Sequence, residues 1–208
     1  MVVHMRRRTF IFALSLSALI IPLGCAQDTL QDEGDRLAQE LNWQPGSVVA
    51  EIGAGKGELT LAAAKRVGPT GRVYTTELDA KKLAHLEELA AKEGNIKALQ
   101  AGDAQTNLPP ACCDSIFMRL VYHHLTKPAE IDASLFQSLK PGGLLAVIDE
   151  ESKDGSKRPE GVPENRGGHG MPEKILIEEL SSAGFQVVTS FSDWPDNNYC
   201  VVFRKPGP

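Results

Sequence analysis

A chain of 208 residues can bury one sizeable core, and a formal net charge of −5 without a basic stripe lacks the phosphate-neutralising footprint that nucleic-acid binding needs. Arg6, Arg7 and Arg8 meet no acidic residue within the first 25 positions, so the remainder is more acidic than the whole. Nucleic acid is therefore not an expected partner.

Residues 1–25 read as an export segment: three arginines, an apolar run from Phe10 to Leu23, then the small residues Gly24, Cys25 and Ala26. The run is too short for a comfortable transmembrane helix. Arg7 to Ile11 resembles a twin-arginine signal, although Arg6 stands where Ser or Thr is usual. Pro22 to Cys25 is close to a lipobox, which would make Cys25 a lipid anchor to the membrane; cleavage after Ala26 and an unprocessed N-terminal anchor stay open. The expected location is outside the cytoplasm, periplasmic or as a membrane-anchored lipoprotein, with the cytoplasm as the alternative.

Residues 26–46 form a leading segment, with Thr29 to Leu41 helical and the Pro45-Gly46 turn as its stop. From residue 47 to 208 the pattern alternates. Strands are expected at 47–52, 72–77, 96–101, 114–120 and 143–149, with helices at 56–67, 79–93 and 128–139. A further helix at 173–183 precedes strands at 186–192 and 199–204. The alternation implies an α/β fold, a doubly wound and mostly parallel seven-stranded sheet with its ligand outside the carboxyl ends of the strands. The six residues from Asp193 to Asn198 are too few for a helical crossover, so the last two strands form an antiparallel hairpin.

The stretch from Val48 to Thr60, VVAEIGAGKGELT, joins a β-branched strand to a helix through a glycine turn that begins on an acid. Gly53, Gly55 and Gly57 permit positive φ and let a ligand approach the main chain, where the helix start presents unpaired N–H groups. The spacing departs from the dinucleotide fingerprint, because Glu58 occupies the position of its third glycine and would repel a pyrophosphate. Glu51 adds a second negative charge. A cofactor with cationic groups fits this turn better.

Here the chain resembles the class I S-adenosylmethionine-dependent methyltransferases, whose first motif has the form E/D-x-G-x-G. Four later landmarks follow in order: RVYTTELD from Arg72 to Asp79 with its strand-end carboxylate at Glu77, AGDA at Ala101 to Ala104, DSIFMRLVYHHL from Asp114, and LKPGGLLAVID from Leu139. The resemblance implies S-adenosyl-L-methionine as cofactor, held by Glu51, Gly53, Ala54, Gly55, Gly57, Glu77, Asp103, Ala104 and Leu120. Glu77 would grip the ribose diol and Asp103 would lie beside the adenine amino group. A small molecule is the expected methyl acceptor. The sequence does not identify it.

His123 and His124 follow the fourth strand, where the family places substrate-facing residues, and either is a candidate general base; Tyr122 and His169 are secondary ones. Their other reading is structural, one packed against a helix and one fixing the loop. Cys112, Cys113 and Cys200 fit no zinc spacing, so no metal is expected, and their odd number argues against a disulfide framework. The Gly- and Pro-rich segment 151–172 leaves the end of the fifth strand and is expected to cover the substrate, a solvated loop being the alternative. Export would separate such an enzyme from its cytoplasmic methyl donor. An exported, non-catalytic binding protein of the same fold is therefore a second reading, and a nicotinamide oxidoreductase a third that the glycine spacing and the hairpin disfavour.

Overall fold

Strand 4 carries Ile116 and Met118 toward one side of the sheet and Phe117 toward the other, and strand 5 divides Leu145 and Val147 from Ala146 and Ile148 in the same way. Both faces of these strands are apolar, so both must be covered, and this dictates helices on two sides. A computed structural model describes residues 25–153 and 155–207, with side chains from Leu30 onward, and the predicted export segment lies outside residues 25–207 apart from Cys25 itself.

The elements run α1 (Cys25–Glu40), β1 (Val48–Ile52), α2 (Glu58–Val67), β2 (Arg72–Glu77), α3 (Ala80–Lys92), β3 (Ile96–Gln100) and β4 (Cys113–Arg119). After these come α4 (Pro128–Ser138), β5 (Leu139–Asp149), α5 (Glu173–Ser182), β6 (Gln186–Trp194) and β7 (Asn198–Arg204). The sheet order is β3-β2-β1-β4-β5-β7-β6, with β7 antiparallel to both neighbours and the other described pairings parallel. The doubly wound sheet and closing hairpin expected from the sequence are thus present. Successive crossovers lead outward in opposite directions from β1 and β4, which opens a crevice at their carboxyl ends.

On one face Leu37 and Ala38 of α1, Leu41 just after it, and Leu59, Ala63 and Val67 of α2 pack against Val49, Val73 and Phe117. On the other, Ile131 and Leu135 of α4 and Leu176 and Leu180 of α5 cover Ile116, Leu145 and Phe203. α1 is fastened closely. A Cβ on its Gly34 would lie 2.9 Å from the Ala62 Cβ, and its buried Glu33 accepts from Arg119 Nε at 2.9 Å and from Trp194 Nε1 at 2.8 Å. Among the described residues no helix is long and apolar enough to cross a membrane.

Several boundaries differ from the sequence reading, α1 starting at Cys25 rather than at 29 and α2 at Glu58 rather than at 56. β5 starts at Leu139 rather than at 143: Leu139 pairs with Cys113 and Leu144 with Ser115, so the Pro-Gly-Gly turn is an irregularity inside the strand, with Gly142 at φ +80°. β6 continues to Trp194, which pairs with Asn198, and the hairpin connection shrinks to a turn in which Asp196 and Asn197 are left-handed. Segment 151–172, Asp154 apart, is fastened to the domain at Val162, Arg166, Gly170 and Met171, while Glu151, Lys153, Lys157, Glu160 and Gly161 are exposed. Arg166 is fully buried, donates to the carbonyls of Tyr122 and Leu125, and pairs with Glu179 of α5, and Val162 and Met171 are buried as well.

Candidate cofactor and acceptor site

β1 ends at Ile52, and the chain turns at once: Gly53 and Ala54 both donate their N–H to the Thr76 carbonyl, at 2.9 and 3.0 Å. Gly53, Gly55 and Gly57 have φ of +69°, +58° and +78°, a region costly for residues with a Cβ. Their surroundings differ. A Cβ on Gly53 would lie 2.6 Å from Val121 Cγ2, and one on Gly57 2.8 Å from both Leu86 and Leu89, whereas nothing stands within 4 Å of that position on Gly55. Two glycines permit close packing, and the third leaves space above the turn.

Glu77, the last residue of β2, faces this turn. Its Oε2 accepts from Gly55 N at 3.0 Å, and its Oε1 accepts from Leu78 N and Asp79 N at 2.8 and 3.1 Å. A carboxylate offers about four acceptor positions, so one is left for a ligand hydroxyl while all three backbone bonds persist. A grip on both hydroxyls of a diol requires one of those bonds to yield.

A cavity of about 380 Å³ opens at the carboxyl ends of the strands, within the range of small-ligand sites. Ile52 and Gly53 line it from β1, Glu77 and Leu78 from β2, Ala101 to Asp103 from the end of β3, and Arg119 to Val121 with His124 from the end of β4. Of the residues singled out in the sequence, Gly53, Glu77, Asp103, Leu120 and His124 line the cavity. Gly55 and Gly57 shape the turn. Ala54 is buried in it, and Ala104 follows Asp103 without lining the cavity.

Glu51 sits beneath the turn rather than on the wall. Its carboxyl is bonded to Thr60 Oγ1, and burial pushes it up to about 8, the Thr60 bonds opposing that rise. Near neutral pH it is a protonated internal hydrogen-bonding group. The negative charge that the sequence reading assigned to it is therefore absent from the ligand surface. The cavity draws its charge instead from Glu77, Asp103 and Lys82, and from Arg119, which pairs with Glu33 and with Asp196 at 2.6 Å. Arg119 and Lys82 were missed as site residues. The signal for Arg119 was present, since it is the charged residue that closes the apolar run of β4.

Leu120 adopts φ +54°, a strained conformation for a branched residue, and its N–H is held by the Ile148 carbonyl at 2.8 Å. That turn sets Val121 against Gly53 and starts a single helical turn, Tyr122–His124. The two histidines take different positions. His123 is buried, its Nδ1 lying 2.6 Å from Asp149 Oδ1 and its backbone N–H donating to Asp149 Oδ2 at 3.1 Å. His124 is exposed and lines the cavity. Burial, with His123 and His169 nearby, holds the His124 imidazole below the usual histidine range, so it is neutral near pH 7. His169, which segment 151–172 returns to this point, lies 4.6 Å from His123 and 5.5 Å from His124, ring centre to ring centre, tilted against the first and edge-on to the second. Tyr122 is no base: burial and the adjacent Asp132 and Glu179 carboxyls keep its phenol protonated.

Cys112 and Cys113 are free and stand at the start of β4, the end opposite the cavity, and Cys200 is buried in β7. None of the three approaches the cleft.

Residues 50–147 match a protein-family model described as a methyltransferase domain. Among curated proteins, the ubiquinone/menaquinone biosynthesis C-methyltransferase UbiE of Bordetella avium is 31% identical over 109 residues, covering 52% of this chain and 43% of its own length. The chain thus spans less than half the length of that relative in the matched region. Among solved structures, a SAM-dependent methyltransferase from Aquifex aeolicus superposes with a TM-score of 0.70 at 23% identity, covering 87% of this chain and 95% of its own. The Burkholderia thailandensis 1,6-didemethyltoxoflavin-N1-methyltransferase, solved with bound 1,6-didemethyltoxoflavin and S-adenosylhomocysteine, gives a TM-score of 0.65 at 19% identity, covering 88% of this chain and 80% of its own. The chain has the Rossmann-like fold of these methyltransferases.

Proposed function

We propose that this protein is a class I S-adenosylmethionine-dependent methyltransferase acting on a small-molecule acceptor. The observation that carries the reading is the pairing of Gly55 with Glu77 across the mouth of the β1–β4 crevice. It joins a main-chain cradle open above Gly55 to a carboxylate with acceptor capacity to spare, 3.0 Å apart. Bound S-adenosylmethionine would supply an electrophilic methyl group. Glu77 would hold its ribose, Asp103 would accept from the adenine amino group, and Leu78 and Leu120 would enclose the base. Arg119 is largely offset by Glu33 and Asp196, which keeps that end of the cleft hospitable to a cation such as a sulfonium. Alignment of donor and acceptor supplies most of what such a transfer needs, and the acceptor would enter beside His124.

Calorimetric titration of the purified protein tests this reading. S-adenosylmethionine or its demethylated product should bind in the micromolar range or tighter, and NAD should not. Tighter binding of NAD would defeat it. Binding without methyl transfer to any acceptor of a small-molecule panel would favour the exported, non-catalytic alternative.

A further inference from the structure

We propose that His123, His124 and His169 form a three-histidine site for a divalent transition-metal ion of zinc type, at the acceptor end of the cleft. One ring nitrogen from each lies within 4.8 Å of the other two. Ligand nitrogens around a tetrahedral zinc ion stand about 3.3 Å apart, so closure asks for side-chain shifts of roughly 1 Å.

The proton inventory makes the cluster hard to account for without a cation. His123 Nδ1 faces the Asp149 carboxylate at 2.6 Å and His169 Nδ1 faces the Glu150 carboxylate at 3.1 Å, and a carboxylate partner requires that ring nitrogen to carry the proton. Each Nε2 of a neutral ring is then a bare lone pair. His123 Nε2 is fully buried with no hydrogen-bond partner, and His123 as a residue is 2% exposed. A buried lone pair facing two more imidazoles lacks a donor, and a metal ion supplies the missing positive charge.

The surrounding shell is that of a metal site. Histidine ligands are commonly oriented by a carboxylate on the far ring nitrogen, and here two of the three are. Asp149 is itself fixed, accepting from the backbone N–H groups of His123 and Glu150, and Glu150 is held by Lys153 at 2.6 Å. His169 is delivered by glycines. A Cβ on Gly168 would lie 2.4 Å from the Lys153 carbonyl, and one on Gly170 2.6 Å from the Glu151 carbonyl, so the chain on either side of His169 is pressed against the backbone just beyond β5 as only glycine allows. An antiparallel bridge between Lys153 and His169 and the Ser156 hydroxyl, which accepts from His169 N at 2.7 Å, complete the mount. Cysteine spacing in the sequence gives no hint of this cluster, and His169 is 45 residues from His124.

Three imidazoles leave one tetrahedral position open, and His124 borders the cavity. This further step rests on the methyltransferase reading: the ion would bind the acceptor through an oxygen or nitrogen donor and favour loss of its proton to solvent, leaving the nucleophile that takes the methyl group as the donor's sulfonium departs as a neutral thioether. The ligating imidazoles would then not serve as bases.

The full-length protein, stripped with a chelator and then dialysed, tests the site without any nucleoside, so the outcome does not depend on methyl transfer. Zinc titrated against a chromogenic chelator should bind at one equivalent per chain, and cobalt in its place should give the visible bands of a tetrahedral ion. His124→Ala and His169→Ala, both at partly exposed side chains, should each weaken zinc binding by 100-fold or more. Asp149→Asn should weaken it about 10- to 100-fold. His85→Ala and the double variant Cys112→Ser/Cys113→Ser should leave it unchanged. Zinc affinity that survives the His124→Ala/His169→Ala double variant in a protein with unchanged circular dichroism overturns the proposal, as does loss of zinc in the cysteine variant or no stoichiometric binding at all.

Discussion

The Gly55 amide and the Glu77 carboxylate, 22 residues apart in sequence, meet at 3.0 Å, so the glycine turn and the end of β2 form one unit. Glu77 therefore has two tasks, holding three backbone N–H groups and facing the cleft.

Glu77→Ala should lower affinity for S-adenosylmethionine roughly 10- to 150-fold, the loss of charge-assisted bonds contributing about 1.5–3 kcal/mol. The same change strips an acceptor from three amides, so urea unfolding should show a stability loss of about 1–3 kcal/mol. Glu77→Gln should fall between wild type and alanine in both measurements. Wild-type affinity in a folded alanine variant would place the ribose elsewhere.

The three glycines should separate by phenotype. Gly55→Ala meets open space and incurs only the left-handed backbone cost of about 1–2 kcal/mol, so it should fold yet bind the nucleoside at least about tenfold more weakly. Gly57→Ala adds contacts at 2.8 Å with Leu86 and Leu89 and should show a larger fall in melting temperature than Gly55→Ala. Gly53→Ala should behave like Gly57→Ala in stability, since its Cβ would press on Val121.

Stability should decline as pH rises from about 5 to 8. The Glu51 carboxyl is raised to about 8 and that of Asp132 to about 7, chiefly by burial, so the folded chain holds protons that the unfolded chain releases near the ordinary carboxylate values of 4.5 and 3.8. A group with a raised folded pKa stabilises fully below its unfolded pKa and loses that contribution as pH passes through the folded value. Glu51→Gln keeps a neutral group of the same shape. It should flatten the decline by a few kcal/mol between pH 5 and 8, measured by chemical denaturation, and an unchanged slope would show that Glu51 is ionised in the fold.

Glu33→Ala should loosen α1. Its carboxylate is the shared acceptor of Arg119 and Trp194 Nε1, and removing one partner of a buried charge pair costs about 3–5 kcal/mol. Faster amide exchange in residues 30–40 than in β4 would locate the loss, and equal exchange across the chain would contradict it.

Arg7 and Arg8 before the apolar run should direct export, and α1 begins at Cys25, the proposed lipidation residue. Cell fractionation with intact-mass measurement separates a lipid-modified chain starting at Cys25, a soluble one starting at Gln27, and an unprocessed one. Unprocessed protein in the soluble cytoplasmic fraction would refute export and remove the separation between enzyme and methyl donor.

The strand and helix order was legible in the sequence because β1, β4 and β5 are apolar on both faces, and the six-residue link to β7 left no room for a crossover. Gly53, Glu77, Asp103 and Leu120 were legible as cleft residues because each sits at the carboxyl end of a strand or just beyond it, where local pattern and topology coincide. What packing does to a charge was not legible. Glu51 reads as an anion in the motif, but it is buried and its carboxyl is held protonated, a consequence of desolvation by distant segments. The histidine cluster was hidden for a related reason. His123 and His124 are neighbours, but His169 joins them only because glycines let segment 151–172 press against the backbone just beyond β5 and because Arg166 anchors that segment beneath Tyr122, contacts that exist only once the chain has folded.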